Sequence, residues 1–303
     1  MNVFIAGGSG AIGVPLIRAL IGAGHQVTAL TRSAAKGDML RALGATPAVA
    51  DALDADALRH VVVAAQPEHV IHQLTALPKG GPRSARDLEA TNRLRVEGTR
   101  NLIEASVAAG ARRLVVGSFA PLGDIRAEDL AAEVRPAAEA IRSMESQALE
   151  ASRCGRLEAI VLRYGLFYGP DTASTEQMIA MARRRMLPRI KGDHSLLPCI
   201  HIDDAARATV AALDAGQPGT IYDIVDDRPV SFSEMVAALA SAAGAPRPIA
   251  IPAWLLRLAM PYMAGMIALR APLSNRKATR DLGWRPAFPT IDEGLAQTLH
   301  RAA

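Results

Sequence analysis

The chain has 303 residues, of which 50% are hydrophobic and 21% charged, so it contains enough apolar material for a globular core and is not expected to be disordered. Its net charge is only +4 and aromatic residues make up 4% of it, which argues against a nucleic-acid groove built from basic and stacking side chains. Its two cysteines, Cys154 and Cys199, predict neither a disulfide scaffold nor a metal site. The N-terminus lacks a signal-peptide pattern, and we expect a cytoplasmic protein.

Apolar runs alternate with helical patterns from Met1 to about Leu162, which is typical of βαβ units in a parallel sheet. The predicted strands are Asn2–Ala6, Gln26–Thr31, Thr46–Ala50, His69–Leu74, Arg113–Gly117 and Glu158–Leu162. The predicted helices are Val14–Ala23, Asp54–Ala65 and Asp87–Ala109. The sequence therefore predicts an α/β fold, a doubly wound parallel sheet of the Rossmann type, over residues 1–168.

The regular alternation ends after Gly169-Pro170. Residues 169–303 are predicted to form a smaller α+β portion that binds substrate over the carboxyl ends of the sheet. Its predicted elements are strands at Cys199–Ile202 and Thr220–Ile224 and a helix at Ser231–Ala243. The apolar stretch from Trp254 to Leu269 is too short and interrupted to span a bilayer, which favours an internal or lid helix over peripheral membrane contact.

A glycine-rich loop, Gly7-Gly8-Ser9-Gly10-Ala11-Ile12-Gly13, lies between the first predicted strand and the first predicted helix. Glycine at positions 7, 10 and 13 permits a tight turn, a close approach of the backbone to a pyrophosphate, and close packing of the helix on the strand. Backbone amides at the start of the helix, around Ala11 and Ile12, are expected to face the phosphate charge. The loop therefore predicts a dinucleotide cofactor.

Arg32 follows the second predicted strand, where an enzyme that selects NAD usually has a carboxylate for the ribose 2′-hydroxyl. An arginine at this point accommodates a 2′-phosphate instead, and no Asp or Glu occupies the end of this strand. We therefore predict NADP rather than NAD. The alternative for Arg32 is a solvated surface arginine.

Several further motifs occur in a characteristic order along the chain. They are Asp51-Ala52-Leu53-Asp54, Val70-Ile71-His72-Gln73-Leu74-Thr75, Gly98-Thr99, Leu162 to Pro170, His201-Ile202-Asp203-Asp204-Ala205 and Leu282-Gly283-Trp284-Arg285-Pro286. Together with the glycine loop they resemble the extended short-chain dehydrogenase/reductases, also called the NAD-dependent epimerase/dehydratase family. The resemblance runs nearly end to end. It implies that Asp51 and Ala52 lie at the adenine, and that Leu74 and Thr75 run beside the cofactor ribose.

The same resemblance implies a serine or threonine after the fifth strand and a Tyr and a Lys four residues apart on the next helix. Ser118 falls on the serine position, but Ala137 and Ile141 stand where the Tyr and the Lys belong. No Tyr or Lys occurs anywhere from Asp124 to Leu157. Arg95 is a further departure, because the family usually has Asn there. The chain therefore resembles an atypical branch with an altered proton-transfer site.

Substitute groups are available near the carboxyl edge of the predicted sheet. Tyr164 and Tyr168 follow the sixth strand, and either phenol would donate a proton if its surroundings tuned its pKa; the alternative is a ring packed in the cleft wall. Ser118 is expected to orient a substrate oxygen, and Ser118 and Tyr164 are also expected to contact the cofactor. The basic run from Arg183 to Lys191 is a solvated face or, as the resemblance implies, a site for the phosphates of nucleotide-linked sugars.

The predicted function is that of an NAD(P)-dependent oxidoreductase or epimerase/dehydratase-like enzyme, acting on a small carbonyl, alcohol or sugar-like substrate. Two alternatives stay open: an NADP-binding sensor without turnover, and an isomerase or lyase with no net use of the cofactor. The resemblance also implies a possible homodimer through the helices that contain Asp87–Ala109 and Pro136–Ser152.

Overall fold

A parallel sheet forms the centre of the molecule. The computed structural model describes residues 1–78, 80–123, 125–170, 172–271 and 273–302. Its strands are β1 Asn2–Ala6, β2 Gln26–Thr31, β3 Thr46–Val49, β4 His69–His72, β5 Arg113–Phe119, β6 Glu158–Tyr164, β7 Leu166–Tyr168, β8 Arg189–Lys191, β9 Cys199–His201, β10 Thr220–Ile224 and β11 Ala250–Pro252. The main sheet has the order β3-β2-β1-β4-β5-β6-β10, with all neighbours parallel. This order reverses between β1 and β4, and it confirms the predicted Rossmann fold.

Helices cover both faces of this sheet. They are α1 Gly13–Gly22, α2 Gly37–Ala42, α3 Ala55–Ala65, α4 Glu89–Arg93, α5 Thr99–Ala108, α6 Arg135–Arg153, α7 Ala173–Arg183, α8 Ile202–Ala215, α9 Phe232–Ala242, α10 Ala253–Ala259, α11 Pro261–Ile267, α12 Arg276–Leu282 and α13 Ile291–Ala302. One apolar layer contains Leu16 of α1 and Ala205 of α8, and the opposite layer contains Leu58 of α3 and Met144 of α6. Because both faces are covered, the residues at the centre of the sheet are apolar on both sides, as in β1, where Val3 to Ala6 are all buried.

The predicted strands differ from the observed ones mainly at their ends. β4 stops at His72, two residues early, because the His72 ring turns the chain: its Nδ1 accepts a hydrogen bond from the Leu74 amide at 3.2 Å. β5 and β6 extend beyond their predicted ends, since their pairing continues to Phe119 opposite Tyr164. Side-chain contacts and strand pairing thus determine where these strands end, and the local periodicity of the sequence does not predict either of them.

The predicted helix Asp87–Ala109 is helical as far as Ala108 but is not a single α-helix. A 3₁₀ turn at Ala85–Leu88 leads into α4, and a π-helical segment, Leu94–Gly98, joins α4 to α5. A π segment places an extra residue in the helix and occurs frequently at functional sites. Arg95, the departure from the family's Asn, lies within it.

The chain returns to the main sheet after residue 168. α8 packs against α1, and the predicted strand at Thr220–Ile224 is β10, which pairs in parallel with β6. This strand therefore belongs to the large sheet and not to the smaller portion, because its partner is a strand of the first half of the chain. The division of the chain at residue 168 stays a prediction.

The smaller portion is built on two short parallel pairs, β7 with β9 and β8 with β11. The strand predicted at Cys199–Ile202 ends at His201, where α8 begins. The helix predicted at Ser231–Ala243 is α9, and Ser231 forms a capping box with Glu234 at its start. These elements surround an apolar core that includes Val236 and Leu197.

The apolar stretch from Trp254 to Leu269 forms two short helices with different surroundings. α10 exposes Trp254 and Leu258, which are 63% and 77% accessible to solvent. α11 instead buries Tyr262 and Ile267. The expected internal or lid helix is therefore observed only for α11. Among the described residues, no helix combines the length and apolar character needed to cross a membrane.

Candidate active site

The glycine loop joins β1 to α1 and is shaped by two positions at which no side chain fits. Gly7 has a φ of +101°, and a Cβ there would lie 2.4 Å from the Gln73 carbonyl oxygen. A Cβ on Gly13 would lie 2.3 Å from the carbonyl oxygen of Gly8. Gly10 differs, because its closest neighbour to a Cβ would be the Gly7 oxygen at 3.2 Å. Gly7 and Gly13 thus serve packing, and Gly10 leaves the backbone open to a ligand.

The start of α1 is left uncapped by the chain itself. Ile12 is the N-cap residue, no side chain caps the helix, and its first turn carries no acidic residue. The N-terminus of an uncapped helix presents backbone N–H groups and the positive end of the helix dipole. Together with the opening above Gly10, this forms a cradle that fits a pyrophosphate.

Arg32 and the residues predicted around the adenine lie along the same edge of the sheet. Arg32 directly follows β2 and is exposed, and it makes no ion pair with another described residue. The Asp51 carboxylate accepts a hydrogen bond from the Leu53 amide at 3.0 Å and stays exposed. Buried Ala52 is fixed by its carbonyl, which accepts from the Asn101 side chain at 3.0 Å. Arg32 is therefore available to an anionic ligand at the end of β2.

His72 fixes the path of the chain beside the predicted ribose positions. Because Nδ1 accepts from the Leu74 amide, Nε2 carries the proton and donates to the Thr99 hydroxyl at 2.8 Å. Burial lowers the pKa of His72 to about 4, so the ring is neutral near pH 7. Leu74 is half-buried and Thr75 is exposed at the edge that His72 shapes. His72 is thus a buried structural histidine.

Ser118 lies near the carboxyl end of β5 within a buried polar network. Its Oγ donates to Oε1 of Glu145 on α6 at 2.6 Å. The same carboxylate accepts from Nε and Nη2 of Arg163 on β6, both at 2.8 Å. With its proton donated to Glu145, the Ser118 hydroxyl offers only acceptor lone pairs to other groups. Its predicted role as a donor to a substrate oxygen stays a prediction and requires this bond to break.

Tyr164 ends β6 with its hydroxyl enclosed. Thr209 donates its own proton to the Ala205 carbonyl at 2.7 Å, so the Tyr164 hydroxyl donates to Thr209 Oγ1, also at 2.7 Å. The Gln73 amide nitrogen donates to the phenol oxygen at 2.9 Å. Burial raises the pKa of Tyr164 to about 12. These contacts give the phenol the structural role of linking β6, α8 and the turn after β4.

Tyr168, at the end of β7, also has interior partners. Its hydroxyl donates to Asp226 Oδ2 at 2.8 Å and lies 3.2 Å from the Thr290 carbonyl oxygen. Its ring packs edge-on against His201, with ring centres 5.4 Å apart. Burial and the neighbouring Asp226 carboxyl raise the pKa of Tyr168. Neither Tyr164 nor Tyr168 therefore presents a free, acidified phenol, and their predicted catalytic role has no support from this geometry.

The buried Asp226 carboxyl is expected to make the free energy of unfolding depend on pH, and one substitution tests this. Burial raises the pKa of its carboxyl to about 8, so the folded protein keeps this proton at pH values where the unfolded chain has lost it. Between its ordinary pKa near 4 and pH 8 the unfolded state therefore binds fewer protons, and stability falls as pH rises. Asp226→Asn keeps an acceptor for Tyr168 without a charge. We expect it to flatten the decline in unfolding free energy between about pH 5 and 8.

The matched control for this prediction is exposed Asp214, on α8. Asp214→Asn is expected to leave the pH dependence as in the unsubstituted protein. The measurement is denaturant unfolding at a series of pH values. An unchanged decline in the Asp226→Asn variant would mean that Asp226 is ionised in the folded state.

The positions of the missing Tyr and Lys lie inside an apolar cluster. Ala137 and Ile141, on α6, are buried together with other apolar side chains from α6, from the segment after β5 and from α11. We call this the Ala137 cluster; its members are Leu88, Leu122, Leu130, Val134, Ala137, Ala138, Ile141, Tyr262 and Leu269, with Phe119, Ile125, Met263 and Met266 at its border. The place of the family's proton-transfer pair is thus apolar and is covered by α11.

Four features of this region were not assigned from the sequence. They are the Glu145–Arg163 pair, the packing of α11 on α6, the buried Tyr262 and the surroundings of Arg95. Glu145 stands four residues after Ile141, and Arg163 opens the sixth-strand motif, so their positions within the family pattern were the available signal. The approach of α11 had no such signal. The basic run after α7 is solvated, since Arg183, Arg184, Arg185, Arg189 and Lys191 are all exposed.

The sequence model of the NAD-dependent epimerase/dehydratase family matches residues 3–225. The chain belongs to this family. Membership implies a pyridine dinucleotide cofactor, and the glycine cradle and the uncapped start of α1 fit its pyrophosphate.

Two curated relatives of this epimerase/dehydratase family member are named as reductases. A 3-diazoavenalumate denitrifying reductase from Streptomyces sp is 36% identical, over 98% of this chain and 100% of that protein. The 2-alkyl-3-oxoalkanoate reductase of Stenotrophomonas maltophilia (strain K279a) is 31% identical, over 82% of this chain and 77% of that protein. These relatives support an oxidoreductase or epimerase-like activity.

Solved structures show the same fold along the whole chain. The UDP-glucose 4-epimerase of Thermus thermophilus, in complex with NAD, superimposes with a TM-score of 0.77 at 24% identity, covering 99% of this chain and 98% of that one. The UDP-glucose 4-epimerase of Thermotoga maritima gives a TM-score of 0.80 at 21% identity, with the same coverage of 99% and 98%. At this identity the likeness concerns the architecture.

Proposed function

We propose that the protein is an NADPH-dependent reductase whose acceptor takes a hydride without needing an acid from the protein. The observation that carries this proposal is the Ala137 cluster, which places apolar side chains where the family has its Tyr and Lys. When bound, the reduced cofactor supplies the hydride. Two of the predicted donors have their protons engaged within the protein, since Tyr164 donates to Thr209 and Ser118 donates to Glu145.

The residues of the chain have separable tasks in this proposal. The cradle formed by Gly7, Gly10 and Gly13 binds the pyrophosphate, and Arg32 binds the ribose 2′-phosphate. The Ala137 cluster excludes water from the reacting face of the substrate, which protects the hydride donor and strengthens nearby electrostatic contacts. Glu145 and Arg163 hold α6 against the ends of β5 and β6.

The chemistry of the acceptor follows from the missing acid. Reduction of a ketone adds a hydride to carbon and a proton to oxygen, so it benefits from a positioned acid. An arenediazonium group needs the hydride alone: the C–N bond breaks, the carbon ends with the new C–H bond, and N₂ leaves with the electron pair of the broken bond. The hydride restores the charge balance, and the cofactor is oxidised by two electrons. The missing Tyr and Lys fit the second reaction.

The relatives' names point in the same direction. The name of the Streptomyces relative combines a diazo group with loss of nitrogen, and that relative matches this chain end to end. Its name and that of the oxoalkanoate reductase both denote acid anions. We therefore propose a diazo- or diazonium-bearing organic acid as the substrate class, with ketone reduction as the competing activity.

The test compares the two acceptor classes directly. Purified protein is mixed with NADPH and either 4-diazobenzoate or a 2-alkyl-3-oxoalkanoate, and NADPH oxidation, N₂ and benzoate are quantified against a mixture without protein. We expect enzyme-dependent benzoate and N₂ in equal amounts, one for each NADPH consumed, and little turnover of the ketone. Ketone reduction that is lost in Tyr164→Phe would overturn the proposal in favour of a phenol acid. Tight NADPH binding without turnover of either acceptor would instead favour the sensor.

The preference for NADPH is tested at Arg32. Arg32→Ala is expected to weaken NADPH binding about tenfold or more and to leave NADH binding nearly unchanged, because only NADPH carries the 2′-phosphate. The matched control is Arg59→Ala, an exposed arginine on α3. Equal losses of affinity for NADPH and NADH would mean that Arg32 supports the fold or contacts a part of the dinucleotide that both cofactors share.

A further inference from the structure

Arg95 has no acidic partner, although its guanidinium is partly withdrawn from solvent. Its one hydrogen bond to a described residue is a long one, from Nη1 to Asn92 Oδ1 at 3.3 Å, and among the described residues it makes no ion pair. The two buried arginines behave differently. Arg113 pairs with Glu158 at 2.7 Å, and Arg163 pairs with Glu145 at 2.8 Å. A desolvated cation is costly unless it is paired, so Arg95 is suited to bind an anionic group.

Arg95 lies near two groups of the candidate site. Its charge acts on His72, at the carboxyl end of β4, and on Tyr262 of α11, whose ring belongs to the Ala137 cluster. The π-helical segment that carries Arg95 packs against α6, which carries Ala137 and Ile141. Arg95 is therefore between the edge of the sheet and the helix that covers the apolar cluster. Burial lowers the pKa of Arg95 to about 10, which leaves it positively charged near neutral pH.

Arg95 is separate from the groups that account for the cofactor phosphates. The pyrophosphate cradle follows β1, and Arg32 follows β2, whereas Arg95 belongs to the helical stretch after β4. An anion bound at Arg95 would thus belong to a group other than the cofactor phosphates. A planar guanidinium pairs well with a planar, singly charged group, whose two oxygens accept two parallel N–H bonds.

The geometry points to Arg95 as the residue that binds a carboxylate of the substrate, with the apolar body of that substrate against the Ala137 cluster. This inference deepens the proposed function and rests on it for the identity of the site. It makes Arg95 a binding and specificity residue: it selects acids over their neutral analogues and orients them from one end. Burial raises the pKa of Tyr262, whose ring belongs to the Ala137 cluster, and the charge of Arg95 opposes that rise.

The experiment measures binding and not turnover, so that its outcome is independent of the reaction. NADP⁺-loaded protein is titrated calorimetrically with benzoate, cinnamate and octanoate and with their methyl esters. The wild-type protein is expected to bind at least one acid about ten- to hundredfold more tightly than its ester. Arg95→Met is expected to abolish this preference while leaving ester affinity and NADPH affinity unchanged. Arg95→Lys, which keeps the charge but loses the planar fork, is expected to retain part of it.

Arg93→Met is the matched control, because Arg93 lies two residues earlier, is exposed and pairs with Glu97 at 3.0 Å. It is expected to leave the preference for acids as in the wild type.

Arg95→Met removes an unpaired charge, so its thermal unfolding temperature is expected to equal or exceed that of the wild type. A lower unfolding temperature would show a structural role for Arg95. The inference is overturned if the wild type shows no preference for any acid, if Arg95→Met retains it, or if Arg95→Met loses NADPH. Failure of diazonium turnover with an intact, Arg95-dependent preference would overturn only the proposed reaction.

Discussion

Gly13→Ala is expected to lower the free energy of unfolding by about 1–3 kcal/mol and to weaken NADPH binding at least about tenfold. The new Cβ would lie 2.3 Å from the Gly8 carbonyl oxygen and 2.6 Å from that of Gly7, distances that real side chains do not tolerate. Both contacts are with backbone, so relief requires the loop and the start of α1 to move apart. That movement opens the cradle proposed to bind the pyrophosphate.

Gly22→Ala is the matched control for this substitution, because Gly22 ends the same helix and a Cβ there meets no atom within 4 Å. Alanine at a helical position is favoured over glycine, so a small gain in stability and unchanged NADPH affinity are expected. Thermal unfolding and a titration of NADPH fluorescence measure both quantities. Normal NADPH affinity in Gly13→Ala would show that the loop does not bind the pyrophosphate.

Removal of the Glu145 carboxylate is expected to cost about 3–5 kcal/mol of stability, because Glu145→Ala removes the charged acceptor of two hydrogen bonds from the buried Arg163 guanidinium. Glu145 is 4% exposed and accepts three hydrogen bonds, one from Ser118 and two from Arg163. These bonds connect α6 to the ends of β5 and β6. Their loss is therefore expected to loosen the helix on which Ala137 and Ile141 stand and to reduce turnover as well as stability.

Glu150→Ala provides the comparison on the same helix. Glu150 pairs with Arg153 at 2.5 Å, but both side chains are largely exposed, and such surface pairs contribute at most about 1 kcal/mol. Ser118→Ala removes one hydrogen bond to Glu145 but leaves Arg163 paired, so its loss of stability is expected to lie between those of Glu145→Ala and Glu150→Ala. Urea unfolding of the three variants gives this order. Equal, small losses for Glu145 and Glu150 would mean that the buried network contributes little.

The cofactor half of the site could be predicted because its signals are local. Gly7 to Gly13 is one short run between a strand and a helix, and its meaning depends on neighbours a few residues away. Arg32 is likewise read from its place at the end of one strand. The strands themselves could be predicted as apolar runs, since a parallel sheet covered on both faces requires them. The ends of the strands could not be predicted, because His72 and the pairing of Phe119 with Tyr164 set them through contacts that local periodicity does not show.

For the region where the family has its Tyr and Lys, the sequence and the tertiary structure each supplied different information. The sequence by itself determined that this family member has no Tyr and no Lys between Asp124 and Leu157, because absence from a segment needs no coordinates. Only the tertiary structure decided that α11 brings Tyr262 onto the cluster around Ala137, that Tyr164 donates to Thr209, and that Arg95 has no acid beside it among the residues described. Hydrogen-bond partners, burial and unpaired charge depend on segments that lie far apart in the chain, and no local sequence pattern shows which of those segments meet.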